Sequence, residues 1–151
     1  FRKYGRYSRD IDALDNLLKF TDKYNKRLVI TSNVPQFGSI FSPVEDVMFK
    51  FRLKLSDKDK INKEVYKLIN KNEYKKNDLV RKFTNENNII FLNKFDYMCS
   101  DQLNLCSSID NNSKIILKDN LHVTLNGAKY FGEKIFKSNW FKIDWLIDWL
   151  V

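Results

Sequence analysis

Three short runs rich in aliphatic residues lie at positions 27–32 (Arg-Leu-Val-Ile-Thr-Ser), 89–92 (Ile-Ile-Phe-Leu) and 114–118 (Lys-Ile-Ile-Leu-Lys), each set off by polar or turn-forming residues. They are too short for helices and rich in strand formers, so they read as strands. The stretches between and around them read as helix. Residues 9–26, with Ser8 as N-cap, place Ile11, Leu14, Leu17, Leu18 and Phe20 on one apolar stripe. Residues 58–88 carry Ile61, Val65, Leu68 and Ile69 on one helical segment and Leu79, Val80 and Phe83 on the next, ending at Asn85-Glu86-Asn87-Asn88. Thr124 caps a last helix to about residue 138, with Leu125, Ala128, Tyr130, Phe131, Ile135 and Phe136 as its apolar positions. Pro35, Gly38 and Pro43 mark an irregular stretch after the first strand.

A strand followed by helices and then another strand calls for a parallel pairing through a crossover. The expected fold is therefore α/β, a three-layer α/β/α sandwich around a parallel sheet, with functional residues on loops at the strand C-termini. Three strands are few for such a sheet, and missing N-terminal strands would account for that. At 151 residues the chain has the size of a single domain, 1–151. It has no starting Met, no apolar run near the roughly 20 residues of a membrane span, and no apolar stretch of a signal peptide at its start. The expectation is an N-terminally truncated fragment of a longer protein.

The net charge of +8 raises the question of nucleic acid. Lysines are spread along the chain and interleaved with acids, as in Lys54-Leu55-Ser56-Asp57-Lys58-Asp59-Lys60, rather than gathered on one stripe. This pattern favours a solvated basic surface and no nucleic-acid partner, with a non-enzymatic basic binding module as an alternative. The tail from Trp140 to Val151 is aromatic and apolar, and reads as a last helix on the domain or, less readily, as an interfacial helix, since Asp144 and Asp148 would face anionic lipid.

His122 is the sole histidine, three residues after Asp119 and directly before Val123-Thr124-Leu125-Asn126-Gly127-Ala128. Neutral imidazole accepts a proton near pH 7, and a carboxylate on its other nitrogen fixes the tautomer and stabilises the imidazolium. These are two members of a hydrolase triad. Cys99 and Cys106, the only cysteines, flank a polar loop. A local disulfide, two free thiols and a metal pair are all open, with the disulfide first. Zinc wants about four ligands, which this inventory does not supply, and a reactive thiol would need His122 as its base. A disulfide would imply an oxidising compartment.

The block Asp119-Asn120-Leu121-His122-Val123-Thr124-Leu125-Asn126-Gly127-Ala128 resembles the last conserved block of the SGNH (GDSL-like) hydrolases. It is most similar to the SGNH domains attached to membrane acyltransferases of family three, which O-acylate bacterial surface polysaccharides. The Val34-Pro35 loop after a strand, the long helical insertion and the Cys99/Cys106 pair run in the order of that group, over roughly residues 7–138. The resemblance implies an SGNH, flavodoxin-like sandwich and no cofactor or metal. His122 would be the general base and Asp119 its orienting carboxylate. The partners would be an acyl donor, a carbohydrate acceptor and an upstream membrane acyltransferase domain. The location implied is the periplasmic side of a bacterial inner membrane. The reaction implied is acetyl transfer to hydroxyls of a cell-surface polysaccharide, or ester hydrolysis if water replaces the sugar. The group's nucleophile sits in a Gly-Asp-Ser block, and none of the ten serines here has that context. Ser32 and Ser39 are the nearest substitutes, and the expected nucleophile is a serine outside the chain.

Overall fold

The computed structural model describes residues 4–39 and 41–138, and the expectations for the aromatic tail lie outside them. In chain order the elements are helix α1 (Tyr4–Lys23), strand β1 (Val29–Thr31), α2 (Pro43–Phe51), a 3-10 turn (Leu55–Asp57), α3 (Lys58–Lys67), α4 (Lys71–Glu86), β2 (Ile90–Leu92), α5 (Phe95–Met98), β3 (Cys99–Ser100), β4 (Leu105–Cys106) and α6 (Leu125–Lys137). They form two compact units. Of the described residues, one comprises 4–33 and 71–93, the other 34–39, 41–70 and 94–138.

In the first unit β1 and β2 pair in parallel, Val29 with Ile90, Ile30 with Phe91 and Thr31 with Leu92, as the strand-helix-strand order requires. The Ser32 amide extends the ladder by donating to the Leu92 carbonyl at 3.0 Å. Helix α1 begins earlier than expected, so Ser8 lies inside it and is not its cap. Residues 4–7 contain neither proline nor a β-branched residue, and Gly5 in the first turn opposes the helix by only about 1 kcal/mol. Asn25, in the left-handed region at φ 50°, turns the chain out of it before residue 26. Leu17 and Phe20 do not join the inward stripe of Ile11, Leu14 and Leu18. They are 44% and 59% exposed, and Phe20 packs against Tyr24 in a tilted pair with ring centroids 4.9 Å apart.

The second unit holds most of the buried apolar side chains, among them Val44, Ile61, Val65, Ile109 and Ile116, each at most 2% exposed. Helix α2 falls where an irregular stretch was expected. Ser42 caps it by accepting the Glu45 amide at 3.3 Å, Pro43 occupies the first turn, and Arg52 ends it in the left-handed region. The stretch 58–88 is two helices, because the chain turns at Leu68–Asn70 to pair Phe37 with Ile69. Residues 114–118 do not form a third strand. They make single antiparallel bridges, Ile115 to Ile109 and Leu117 to Val123, because the chain reverses within five residues on either side. The described structure is thus mixed α/β with a two-stranded parallel sheet and a separate hairpin, smaller than a three-layer sandwich around a larger sheet.

Cys99 and Cys106 are opposite each other in that hairpin and joined by a disulfide, so neither thiol is free. Asn62 of α3 braces the segment that follows. Its Oδ1 accepts the Ser108 amide, the Ser108 hydroxyl and the Ile109 amide at 2.9, 2.6 and 3.0 Å, and its Nδ2 donates to the Ile109 carbonyl.

Candidate active site

The site is one loop, residues 118–122, held at both ends by backbone bonds. Lys118 and Asp119 amides donate to the His122 carbonyl at 2.9 and 3.4 Å, closing the turn, and the Phe37 amide donates to the Asn120 carbonyl at 3.2 Å. The last of these contacts brings Phe37, two residues after Pro35, alongside the loop. Phe37 is itself fixed, 4% exposed and bridged to Ile69.

Downstream, the loop runs directly into α6. The Thr124 amide donates to the Ile116 carbonyl at 2.8 Å, while its hydroxyl donates to Ile115 and accepts the Gly127 amide at 2.9 Å as the helix cap. Gly127 sits against the Ile116 backbone so closely that a Cβ would lie 2.3 Å from the Ile116 carbonyl oxygen. The Thr-x-x-Gly spacing therefore seats the first turn of α6 on the 115–117 run, which fixes where the loop starts and ends.

Within the loop, Asp119 Oδ1 accepts the Leu121 and His122 amides at 2.9 and 2.8 Å. The same carboxylate lies 3.0 Å from His122 Nδ1 through both of its oxygens. An ionised carboxylate can only accept, so these contacts put the ring proton on Nδ1 and leave the lone pair on Nε2. The imidazole is 72% exposed against 33% for the carboxylate, so Nε2 is open to a reactant. The Leu121 and His122 amides, with a smaller contribution from the ring, hold the Asp119 carboxyl down to about 2. It stays charged at any pH where His122 can act as a base.

Within the unit that carries His122, no hydrogen bond joins a serine to the imidazole among the described residues. Ser39, in the same unit, donates to Asp46, and Ser32 donates to the Asn33 carbonyl. Among the described residues there is no group of three or more His, Cys, Asp and Glu placed to hold a metal. The arrangement can accept, orient and return one proton, and it lacks the hydroxyl that would give one.

The family described as "SGNH domain (fused to AT3 domains)" matches residues 2–137. The chain belongs to this family. No curated protein matches the SGNH domain described here. Among solved structures it is similar to the lipopolysaccharide acetyltransferase periplasmic domain of Salmonella ser. Paratyphi A, with a TM-score of 0.63 and 16% identity over 87% of this chain and 49% of that one. The SGNH domain thus spans about half the length of that structure, and the likeness is one of fold. The sequence places Asp119 and His122 together and favours a disulfide over free thiols or a metal pair for the cysteines, and the structure holds that disulfide. The sequence does not reveal Asn120 and Phe37 as the tether of the loop, because a backbone bond leaves no residue type to read.

Proposed function

We propose that His122 and Asp119 are the base and the orienting carboxylate of a Ser-His-Asp triad that moves an acyl group, typically acetyl, onto a hydroxyl of a cell-surface polysaccharide. The observation that carries this is the imidazole held through Nδ1 by a charged carboxylate, with Nε2 exposed. The family's fusion to AT3 domains and the fold it shares with a lipopolysaccharide acetyltransferase domain support acyl chemistry for that pair.

The nucleophile is a serine from outside these 151 residues. His122 Nε2 takes its hydroxyl proton as the serine oxygen attacks the acyl carbonyl, and returns that proton to the departing group. In the second half it takes the proton of the acceptor hydroxyl as that oxygen attacks the acyl-serine, then gives it back to the serine. Asp119 remains ionised throughout and stabilises the imidazolium. The membrane acyltransferase domain supplies the acyl group. The site works on the periplasmic side, where the Cys99–Cys106 disulfide is stable. Among the described residues no helix is long and apolar enough to cross a membrane.

The test is acyl transfer by the full-length protein. His122→Ala is expected to lower the rate about a thousandfold or more with folding retained, and Asp119→Asn by roughly 10^2- to 10^4-fold, because an amide at residue 119 would present a donor to Nδ1 and favour the wrong tautomer. Transfer at the normal rate by the His122 variant would overturn the assignment. Product analysis separates acyl sugar from free acid, and so transfer from hydrolysis.

A further inference from the structure

On one side of α6 lies a polar cleft of about 390 Å³ that the His122 loop does not line. One wall is the turn after Asp110. The other is a single stripe of α6, since Asn126, Lys129, Tyr130, Glu133 and Lys137 follow at helical spacings of three and four. The walls are tied together. Asp110 Oδ1 accepts the Asn112 and Lys114 amides at 2.8 and 2.9 Å, which closes the turn, and its Oδ2 accepts the Asn126 side-chain amide at 3.1 Å. Both oxygens of Asp110 are thereby engaged within the fold, and the residue is 9% exposed.

The groups that remain free to meet a ligand are of two kinds. Lys129 and Lys137 bring two ammonium groups from the helix wall and Lys114 a third from the turn; none of the three forms a close ion pair among the described residues, and the Lys114 charge also acts on Asp110. Lys58, beside the cleft, donates to Asn111 Oδ1 at 2.9 Å, which occupies that oxygen and leaves the Asn111 NH2 group as a donor. Glu133, between Lys129 and Lys137 on the helix, supplies one carboxylate acceptor, and Asn126 keeps its carbonyl oxygen. Tyr130 adds an aromatic surface.

We propose that this cleft binds an acidic sugar, one whose ring carries a carboxylate or a phosphate. Alternating donors and acceptors match the vicinal hydroxyls of a sugar ring, an aromatic side chain matches its apolar face, and the excess of ammonium groups matches one anionic substituent. A nucleic-acid backbone fits less well, because it wants a continuous basic track, and this site is a single pocket with carboxylates inside it. Taking the sugar to be part of the acceptor polysaccharide rests on the acyl-transfer reading above. The affinity for an acidic sugar does not.

The experiment is a titration of the chain, followed by backbone amide shifts and calorimetry, with an α-1,4-linked galacturonic acid trisaccharide. The matching neutral galactose trisaccharide, mannose 6-phosphate, inorganic phosphate and a single-stranded oligonucleotide serve as comparisons. Binding of the galacturonate or the sugar phosphate with shifts at residues 110–114 and 126–137 is expected, and the tighter of the two names the anion. K129E/K137E should weaken it at least tenfold, while K60E/K63E, with the same change of net charge on α3, should leave it within about twofold. Equal loss in both double variants, equal binding of the neutral sugar, inorganic phosphate as tight as either anionic sugar, or preference for the oligonucleotide would each overturn the proposal. His122→Ala should bind the acidic sugar normally. A full-length protein that keeps this binding without needing His122 for transfer would overturn the triad alone, and one that transfers through His122 without binding here would overturn the cleft alone.

Discussion

Gly127 shows how narrowly a single residue can set this site. Any side chain there meets the Ile116 carbonyl, a backbone atom that cannot rotate away, with Cβ at 2.3 Å. Gly127→Ala must therefore push α6 off the 115–117 run, at about 1–3 kcal/mol, outweighing the helix propensity gained. A denaturation midpoint equal to that of the unaltered chain would show that the approach is not needed. Asp119 sets the loop in a different way. Its folded carboxyl lies at about 2, below the ordinary 3.8, so the folded state binds the proton less well than the unfolded chain. The order it gives to the loop is fully present above about pH 4 and is lost as the pH falls towards 2. The Leu121 and His122 amide resonances should move together with a midpoint near 2, and a midpoint near 4 would mean that those bonds are not made. Asp119 and His122 were legible in the sequence because their partnership is local. Only Asn120 and Leu121 separate them, and one turn is enough to join carboxylate to ring.

At the scale of elements, legibility depended on whether a run's neighbours come from nearby sequence. Thr124 and α6 could be read because cap and stripe sit in the same fifteen residues. Ser42-Pro43-Val44-Glu45 carried an equally readable helix start, yet the two prolines and Gly38 suggested irregularity instead. Residues 114–118 have the composition of a strand but no ladder, since what lies beside them is one bridge to Ile109 and one to Val123. That segment is held by a long-range contact no local pattern reveals. Asn62, 46 and 47 residues away, saturates Ser108 and Ile109, which are 0% and 2% exposed. Asn62→Ala would leave buried amides without partners at a cost of roughly 2–4 kcal/mol. Asn62→Asp keeps the acceptor oxygen but not the amide donor, and places a charge in a half-buried position. Both variants should lower the urea midpoint, with the alanine variant expected to unfold at the lowest urea. A midpoint unmoved by Asn62→Ala would mean that α3 does not brace the segment.

For the whole molecule, the parallel pair followed from element order alone, whereas a three-layer sandwich needs more strands than the two parallel ones described. The family match covers nearly the full length, so the common plan is carried by residues 2–137 with only two short parallel strands described among them. With so little sheet, covalent closure has a larger part in stability. The Cys99–Cys106 bond closes a loop of seven residues' separation, and restricting the unfolded chain in this way contributes about 2–2.5 kcal/mol. The loop it closes is also connected to α3, since the Tyr66 hydroxyl donates to Asp101 Oδ1 at 2.9 Å. Both sulfurs belong to buried residues, Cys106 at 1% and Cys99 at 8% exposure, so a reductant must wait for the hairpin to open. Reduction in buffer should therefore be slow and should accelerate steeply in denaturant below the unfolding midpoint. Once reduced, or in Cys99→Ser/Cys106→Ser, the chain should lose about 2 kcal/mol of unfolding free energy while the Asp119–His122 contact, more than ten residues downstream, keeps its amide shifts. An unchanged midpoint on reduction would assign the stability of this unit to its apolar core alone, and loss of the His122 loop signals would show that the hairpin and the loop are a single cooperative structure.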